Sequence, residues 1–428
     1  MDDLEAHGVK LEGITGDVEA FYDRHPYPPP VADLDAYRQR WQDESARRAD
    51  FHLYWPHKAY REDLKVLVAG CGTSQAAKYA LRLPASQVVG IDVSAASVRH
   101  TEELKRKYNL TNLEVHQLPI EQAGALGVSF DRVVCTGVLH HLPDPQVGLR
   151  ALMEVLEPDG ALNLMVYAAY GRAGVYMLQE YCRMLGIGHS DEEIQELANT
   201  LMAMPPAHPL APLLAESPDF RSRAGLADAL LNPQDRAYTV PQLFELIDQC
   251  GLRFIRWIRQ APYLPQCGSL AATPHASRIS RLPQREQYAA VELFRGNMLR
   301  HSLILYRDDL PGESFLPRFD GDGWLAYIPI RFPEAISVQK KLPPGAAALL
   351  INQGHGDPDL FLPVNANEKR LVDAIDGKRS IDEIIHQPSK SGAASHRQNR
   401  EQARSLFERL YWFDQVVYQT NTQRNPTA

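Results

Sequence analysis

The sequence predicts an α/β fold: a doubly wound, seven-stranded, mostly parallel sheet with an N-terminal lid, a helical insertion and a small α+β C-terminal domain. Three observations predict it. Short β-branched runs alternate with amphipathic helical stretches from about 62 to 170. Val66-Leu67-Val68-Ala69 runs straight into Gly70-Cys71-Gly72-Thr73, and Asp92 closes the next such run, Val88-Val89-Gly90-Ile91. Alternation of this kind gives a parallel sheet with helices on both faces, because each parallel pair needs a crossover between its strands.

In chain order, residues 1–61 form an aromatic and proline-rich lid segment, carrying Phe21-Tyr22-Asp23-Arg24-His25-Pro26-Tyr27-Pro28-Pro29-Pro30. So many prolines exclude a helix interior and favour extended chain, with a helical stretch around Tyr37 to Arg48. Residues 62–310 hold the sheet, with strands at Lys65–Ala69, Val88–Asp92, Leu113–His116, Arg132–Thr136 and Ala161–Tyr167. Ser94 and Asp144 stand where helix caps belong, the latter followed by Pro145 at the first helical position. Residues 171–235 are a proline-punctuated helical insertion that covers the substrate side, its stripe of Tyr176, Met177, Tyr181 and Met184 expected as core. An amphipathic helix from Val240 to Cys250 ends at Gly251, and strands Arg253–Arg259 and Ser302–Arg307 complete the sheet around a helix near Tyr288–Phe294. Residues 311–428 form the C-terminal domain. It has strands at Trp324–Phe332, Ala346–Ile351 and Val416–Tyr418, and a capping box at Ser380-Ile381-Asp382-Glu383. A Ser-, Lys- and Gly-rich connection covers 388–396, and Arg397, Arg400, Arg404 and Arg409 form a solvated helix face.

Composition bounds the function. The chain has 428 residues, more than one ordinary domain, and its 44% hydrophobic and 23% charged content is that of a globular protein. No apolar run reaches the length of a membrane span, and Met1-Asp2-Asp3-Leu4-Glu5 has no signal-peptide character. A net charge of −8 argues against nucleic acid as partner. Five cysteines lie far apart without a CxxC pair, so neither a metal site nor disulfides are expected, and a cytoplasmic location is.

In a doubly wound sheet, ligands sit beyond the carboxyl ends of the strands where the strand order reverses. Gly70 and Gly72 let backbone approach a ligand there, Asp92 presents a carboxylate to a ribose diol, and Thr136 and Gly137 end the strand across the crevice. The following Leu139-His140-His141-Leu142-Pro143-Asp144-Pro145 opens toward a substrate, and His140 and His141 are the candidate bases. Tyr22, His25 and Tyr27 are candidate lid residues, and Arg236-Ala237-Tyr238-Thr239 stands close enough to reach a pocket.

These motifs resemble the class I S-adenosylmethionine-dependent methyltransferases over 62–170. The resemblance implies the following roles. Ala69, Gly70, Cys71 and Gly72 wrap the methionine portion of S-adenosyl-L-methionine, Asp92 holds its ribose, Gln117 and Leu118 flank the adenine, and Thr136 and Gly137 line the sulfonium side. The chain departs from the family at Val68, Ser74 and Gln117, where acid, glycine and acid are usual. The turn also lacks the third glycine of a dinucleotide-binding motif, Gln75 standing there. Leu371-Val372-Asp373-Ala374-Ile375-Asp376-Gly377 loosely resembles PqqD-like winged-helix modules. The function implied is methyl transfer to an oxygen, nitrogen or activated carbon of a small molecule. Alternatives are a peptide or protein methyltransferase recruiting its substrate through the C-terminal domain, and a non-catalytic cofactor-binding regulator.

Overall fold

A computed structural model describes residues 18–309, 315–386 and 396–420, with the side chains of 218–219 and 396–399 outside the description. Residues 388–395 of the connection expected at 388–396, the N-terminal residues through Glu5 and the Arg397 side chain therefore lie outside the described residues.

Strands β1 (Lys65–Ala69), β2 (Gln87–Asp92), β3 (Leu113–Gln117), β4 (Phe130–Thr136), β5 (Leu156–Tyr167), β6 (Leu252–Trp257) and β7 (Arg300–Arg307) form one sheet in the order β3-β2-β1-β4-β5-β7-β6. The first five pair in parallel, and β7 runs antiparallel to β5. Val66, Leu67, Val68 and Ala69 are all fully buried, as a central strand covered by helices on both faces requires. Register sets the site. Ala69 lies opposite Ile91 and Cys135, and Asp92 opposite Gln117. The residues leaving β1 to β4 therefore emerge in one layer, and the strand order reverses between β1 and β4.

The expected caps are present. Ser94 accepts the Ser97 N–H at 3.2 Å ahead of the helix Ala95–Tyr108, and Asp144 accepts the Gln146 N–H at 2.9 Å ahead of Pro145–Glu154. The insertion comprises the helices Ala173–Leu185, Asp191–Leu201, Ala211–Glu216 and Arg223–Leu231 around a core that includes Val175, Leu178, Cys182, Ile194, Leu197, Leu226 and Leu230. Three residues of the stripe expected as core are instead outward, Met177 at 52% and Met184 at 79% exposure and Tyr181 exposed as well, while Tyr176 is half-buried. The helix Ala173–Leu185 is apolar on two faces, and the face of Val175, Leu178 and Cys182 is the one buried.

Among the described residues the chain divides into two compact units, one of 18–38, 62–254 and 292–309, the other of 39–61, 255–291, 315–386 and 396–420. The expected boundaries at 61/62 and 310/311 do not capture this. Two segments assigned elsewhere by the sequence, 39–61 and 255–291, belong with the C-terminal residues, and the division falls inside β6.

Side-chain bonding explains it. Asp414, fully buried at φ +50°, accepts from Arg256 Nη2 (3.0 Å), the backbone N–H groups of Gln260 (2.8 Å) and Ala261 (3.0 Å), and His355 Nε2 (3.0 Å). Ala261 and Cys267 lie in the same core as Leu406, Phe407 and Leu410. Ahead of β1, the chain forms two helices, Asp35–Arg40 and Glu44–Tyr54, rather than one. Asp43 caps the second by accepting the Ser45 N–H, and Arg48 on that helix donates to Gln419 Oε1 at 3.0 Å.

In this second unit, β8 (Ile328–Arg331) pairs with β12 (Val416–Gln419), and β9 (Ala335–Val338), β10 (Ala348–Asn352) and β11 (Phe361–Val364) form an antiparallel sheet. The strand expected from Trp324 begins only at Ile328, after a 3-10 turn at Gly323–Ala326. Strands β9 and β11, four residues each, have no counterpart in the sequence expectations. The Ser380 and Glu383 capping box is formed. Arg400 pairs with Asp322 and Arg409 with Glu368, so these two arginines are bridged rather than simply solvated.

Candidate functional site

The glycine turn folds back on β2. Gly70 and Gly72 adopt φ of +68° and +52°, and the N–H groups of Gly70 and Cys71 both donate to Ile91 O, at 2.8 and 2.9 Å. A Cβ on Gly70 would lie 2.2 Å from Val138 Cγ2, so no side chain fits there. Asp92 braces the turn: Oδ2 accepts the Gly72 N–H at 2.8 Å and Oδ1 the Ser94 N–H at 2.9 Å. Burial raises its carboxyl pKa, the two backbone bonds opposing that rise. Each carboxylate oxygen keeps a further lone pair for a ligand hydroxyl.

The neighbouring strand tips are tied in. Gln75 Nε2 donates to Thr136 Oγ1 at 2.5 Å, and the Gly137 N–H, at φ +80°, donates to Met165 O. Leu118 N–H donates to Asp92 O at 2.9 Å, and the exposed Gln117 donates through Nε2 to Val93 O at 3.0 Å. Burial pushes the Cys71 thiol pKa well up, which keeps it an uncharged packing group. Ala69, Gly70, Cys71, Gly72, Asp92, Gln117, Leu118, Thr136 and Gly137 thus all stand at the carboxyl ends of β1 to β4.

The three aromatic lid candidates separate. Tyr22 OH donates to Asp228 Oδ1 at 2.8 Å and accepts from Asn232 Nδ2 at 3.0 Å, while His25 Nε2 lies 3.2 Å from His189 O. Both therefore engage the insertion, and Phe21 beside them enters its core. Tyr27 O lies 3.3 Å from where a Cβ on Gly72 would sit, and Pro28 O accepts from Thr73 Oγ1 at 2.8 Å. The segment reaches from the glycine turn to the insertion.

Beyond β4 and β5 lies a buried polar cluster. His140 is fully buried and neither ring nitrogen has a hydrogen-bond partner. Its ring centroid stands 3.9 Å from that of Tyr167 and 4.2 Å from that of His141. His141 Nδ1 is 2.7 Å from Gln234 O, which requires the proton on Nδ1. The Arg172 guanidinium sits 3.5 Å over the Tyr167 ring and 3.7 Å from Asp235 Oδ2, to which Gln179 Nε2 donates at 2.8 Å. Tyr176 OH and Asp235 Oδ1 have no partner. Burial drives the His140 pKa well below its ordinary value, with the charges of His141 and Arg172 acting the same way, so the imidazole is neutral. Burial likewise raises the Asp228 carboxyl and the Tyr167 hydroxyl. Ligand atoms of His140, His141 and Asp235 come within 4.8 Å of one another, but Arg172 already stands against the Asp235 carboxylate, as a cation competing with any metal ion.

Sequence reasoning missed Tyr167, Arg172, Gln179, Asp228 and Asp235. Tyr167 was within reach, since it ends β5 as Thr136 ends β4. Arg236 and Tyr238 line a shallow surface depression with Asp144, Gln242 and Glu245, instead of the buried cluster.

Residues 67–162 match the family model described as a methyltransferase domain. An uncharacterized protein from Synechococcus sp. is 28% identical over 331 residues, 75% of this chain and 78% of that protein. A ubiquinone biosynthesis O-methyltransferase from Xanthomonas oryzae pv. oryzae is 33% identical over 140 residues, 30% of this chain and 56% of that enzyme. Among solved structures, PKMT2 from Rickettsia typhi in complex with AdoHcy aligns with a TM-score of 0.62 at 17% identity, covering 93% of this chain and 78% of that one. No described helix is long and apolar enough to cross a membrane. This sheet order with an antiparallel β7 is the class I methyltransferase fold, and residues 67–162, from β1 into β5, match a methyltransferase domain.

Proposed function

We propose that the chain methylates a hydroxyl oxygen of a small molecule bound in the buried cluster of His140, His141, Tyr167, Arg172 and Asp235. The bound S-adenosylmethionine supplies an electrophilic methyl group and leaves as a neutral thioether. The residues at the strand tips fit it: two glycines at positive φ, one with no room for a Cβ, face a buried carboxylate that retains lone pairs. Ala69, Gly70, Cys71 and Gly72 hold its methionine portion, Asp92 its ribose, Gln117 and Leu118 its adenine, and Thr136 and Gly137 its sulfonium side.

One observation carries the acceptor assignment, the fully buried His140 with two unpartnered nitrogens on the loop that follows β4. Leaving such a group unpaired is costly, and a bound hydroxyl satisfies it. Neutral His140 then takes the hydroxyl proton on a ring nitrogen. A weak base is sufficient, because an oxygen that accepts a methyl group becomes positive and strongly acidic. Arg172 and Tyr176 orient the acceptor, and the insertion excludes water. The relative named as a ubiquinone biosynthesis O-methyltransferase supports the choice of oxygen; this chain spans 56% of its length.

The test is the variant His140→Phe, assayed with a panel of phenols and hydroxy acids. Turnover of the accepted substrate should fall by about 10²–10⁴ with S-adenosylhomocysteine affinity unchanged. Undiminished turnover removes His140 from the chemistry. Methylation of peptides but of no small molecule in the panel refutes the substrate class.

A further inference from the structure

The lid helix over 18–24 is two-faced in a way the fold alone does not require. Val18, Phe21 and His25 share one side and are all buried, Phe21 inside the insertion core. Glu19 and Asp23, four residues apart, share the opposite side. That side meets the strand tips. Asp23 Oδ1 accepts from Ser94 Oγ at 2.8 Å and from the Ala96 N–H at 3.1 Å, immediately beyond Asp92. Its charge adds to burial in raising the Asp92 carboxyl pKa, as two facing carboxylates do. Glu19 Oε1 accepts from Gln117 Nε2 at 3.4 Å, at the tip of β3.

The chemistry of the pair is complementary to a nucleoside. Gln117 turns its amide nitrogen inward, to Val93 O and to Glu19. What the β3 tip leaves for a base is the neutral Gln117 amide oxygen, a weaker acceptor than a carboxylate. A carboxylate accepts hydrogen bonds and donates none, so it suits an exocyclic amino group and repels a carbonyl oxygen in the same place. A second carboxylate beside Asp92 likewise suits a diol, whose hydroxyls donate to it.

We propose that Glu19 and Asp23 are donor-binding residues, Glu19 accepting the adenine amino group and Asp23 closing the ribose side opposite Asp92. This rests on the nucleoside lying over Asp92 and Gln117, as proposed above. The lid helix then reads the donor on one face while its other face is seated in the insertion.

The test measures binding of S-adenosylhomocysteine and S-inosylhomocysteine to the full chain by calorimetry. The second probe carries an oxygen in place of the adenine amino group. The parent protein should prefer the adenosyl compound, and Glu19→Gln should reduce that preference about tenfold or more, the scale of one lost charge-assisted hydrogen bond. Asp23→Asn should weaken both ligands about equally. Thermal melts at unchanged midpoint establish that the variants are folded. An unchanged preference in Glu19→Gln together with unchanged affinity in Asp23→Asn overturns the assignment. Asp92→Asn separates the two levels. If it weakens binding while the lid variants do not, only the lid assignment fails; if it too binds normally, the nucleoside placement fails.

Discussion

Replacing Asp92 by asparagine isolates the group on which the donor site turns. In the native chain one carboxylate oxygen accepts the Gly72 N–H at 2.8 Å and the other the Ser94 N–H at 2.9 Å. An asparagine keeps one acceptor and turns an amide N–H toward the second donor. One charge-assisted bond is lost, about 1.5–3 kcal/mol, and a buried N–H is left facing another donor. Part of this is offset in the free protein, because the native carboxylate is raised in pKa by burial and its ionised form is disfavoured there. The net effect on folding is therefore smaller than that loss. The effect on ligand is not offset, since the ribose loses an anionic acceptor while the brace of the glycine turn loosens. Affinity for S-adenosylhomocysteine should fall by roughly 10- to 100-fold. Calorimetry at pH 7 reads the affinity, and a urea melt reads the stability. A folded Asp92→Asn protein with native affinity would refute the argument.

Two further outcomes follow from local geometry. Gly70→Ala forces a Cβ to 2.2 Å from Val138 Cγ2 at a φ of +68°, so it should cost about 2–5 kcal/mol, summing left-handed strain and overpacking, as a lowered urea midpoint. His52, in the second unit, has its pKa lowered to about 4 by burial, against a partial rise from its bond to Trp55 O. A lowered histidine pKa means that the unfolded chain binds the proton better. Its stabilisation is then complete above pH 6.5 and is lost as the pH falls toward 4, about 3 kcal/mol in all. A His52→Gln variant should show a flatter pH profile across that window in denaturant melts, and an equally steep one would count against this origin.

The layer of strand tips was legible because its determinants are local. Each strand is a short apolar run with a cap or glycine after it, and parallel register then carries Gly70, Asp92, Gln117 and Thr136 into one layer without further information. The buried polar cluster was half legible. His140 and His141 follow β4 directly, but Asp228 and Asp235 come from a helix end and a loop of the insertion, and nothing adjacent in sequence marks them. The phase of the helix Ala173–Leu185 was misjudged because its apolar residues lie on both faces, and only tertiary packing selects Val175, Leu178 and Cys182. The unit boundary escaped for a similar reason. Asp414 collects partners from Arg256 to His355, a convergence that no window of sequence contains.

A crystal structure of the protein grown with S-adenosylhomocysteine tests the central placement most directly. The ribose hydroxyls should bond the Asp92 carboxylate, with the sulfur between the Gly70–Gly72 turn and Gly137 and pointing toward His140. Density for the ligand anywhere else, or a ribose that leaves Asp92 bonded only to its two backbone amides, would contradict it.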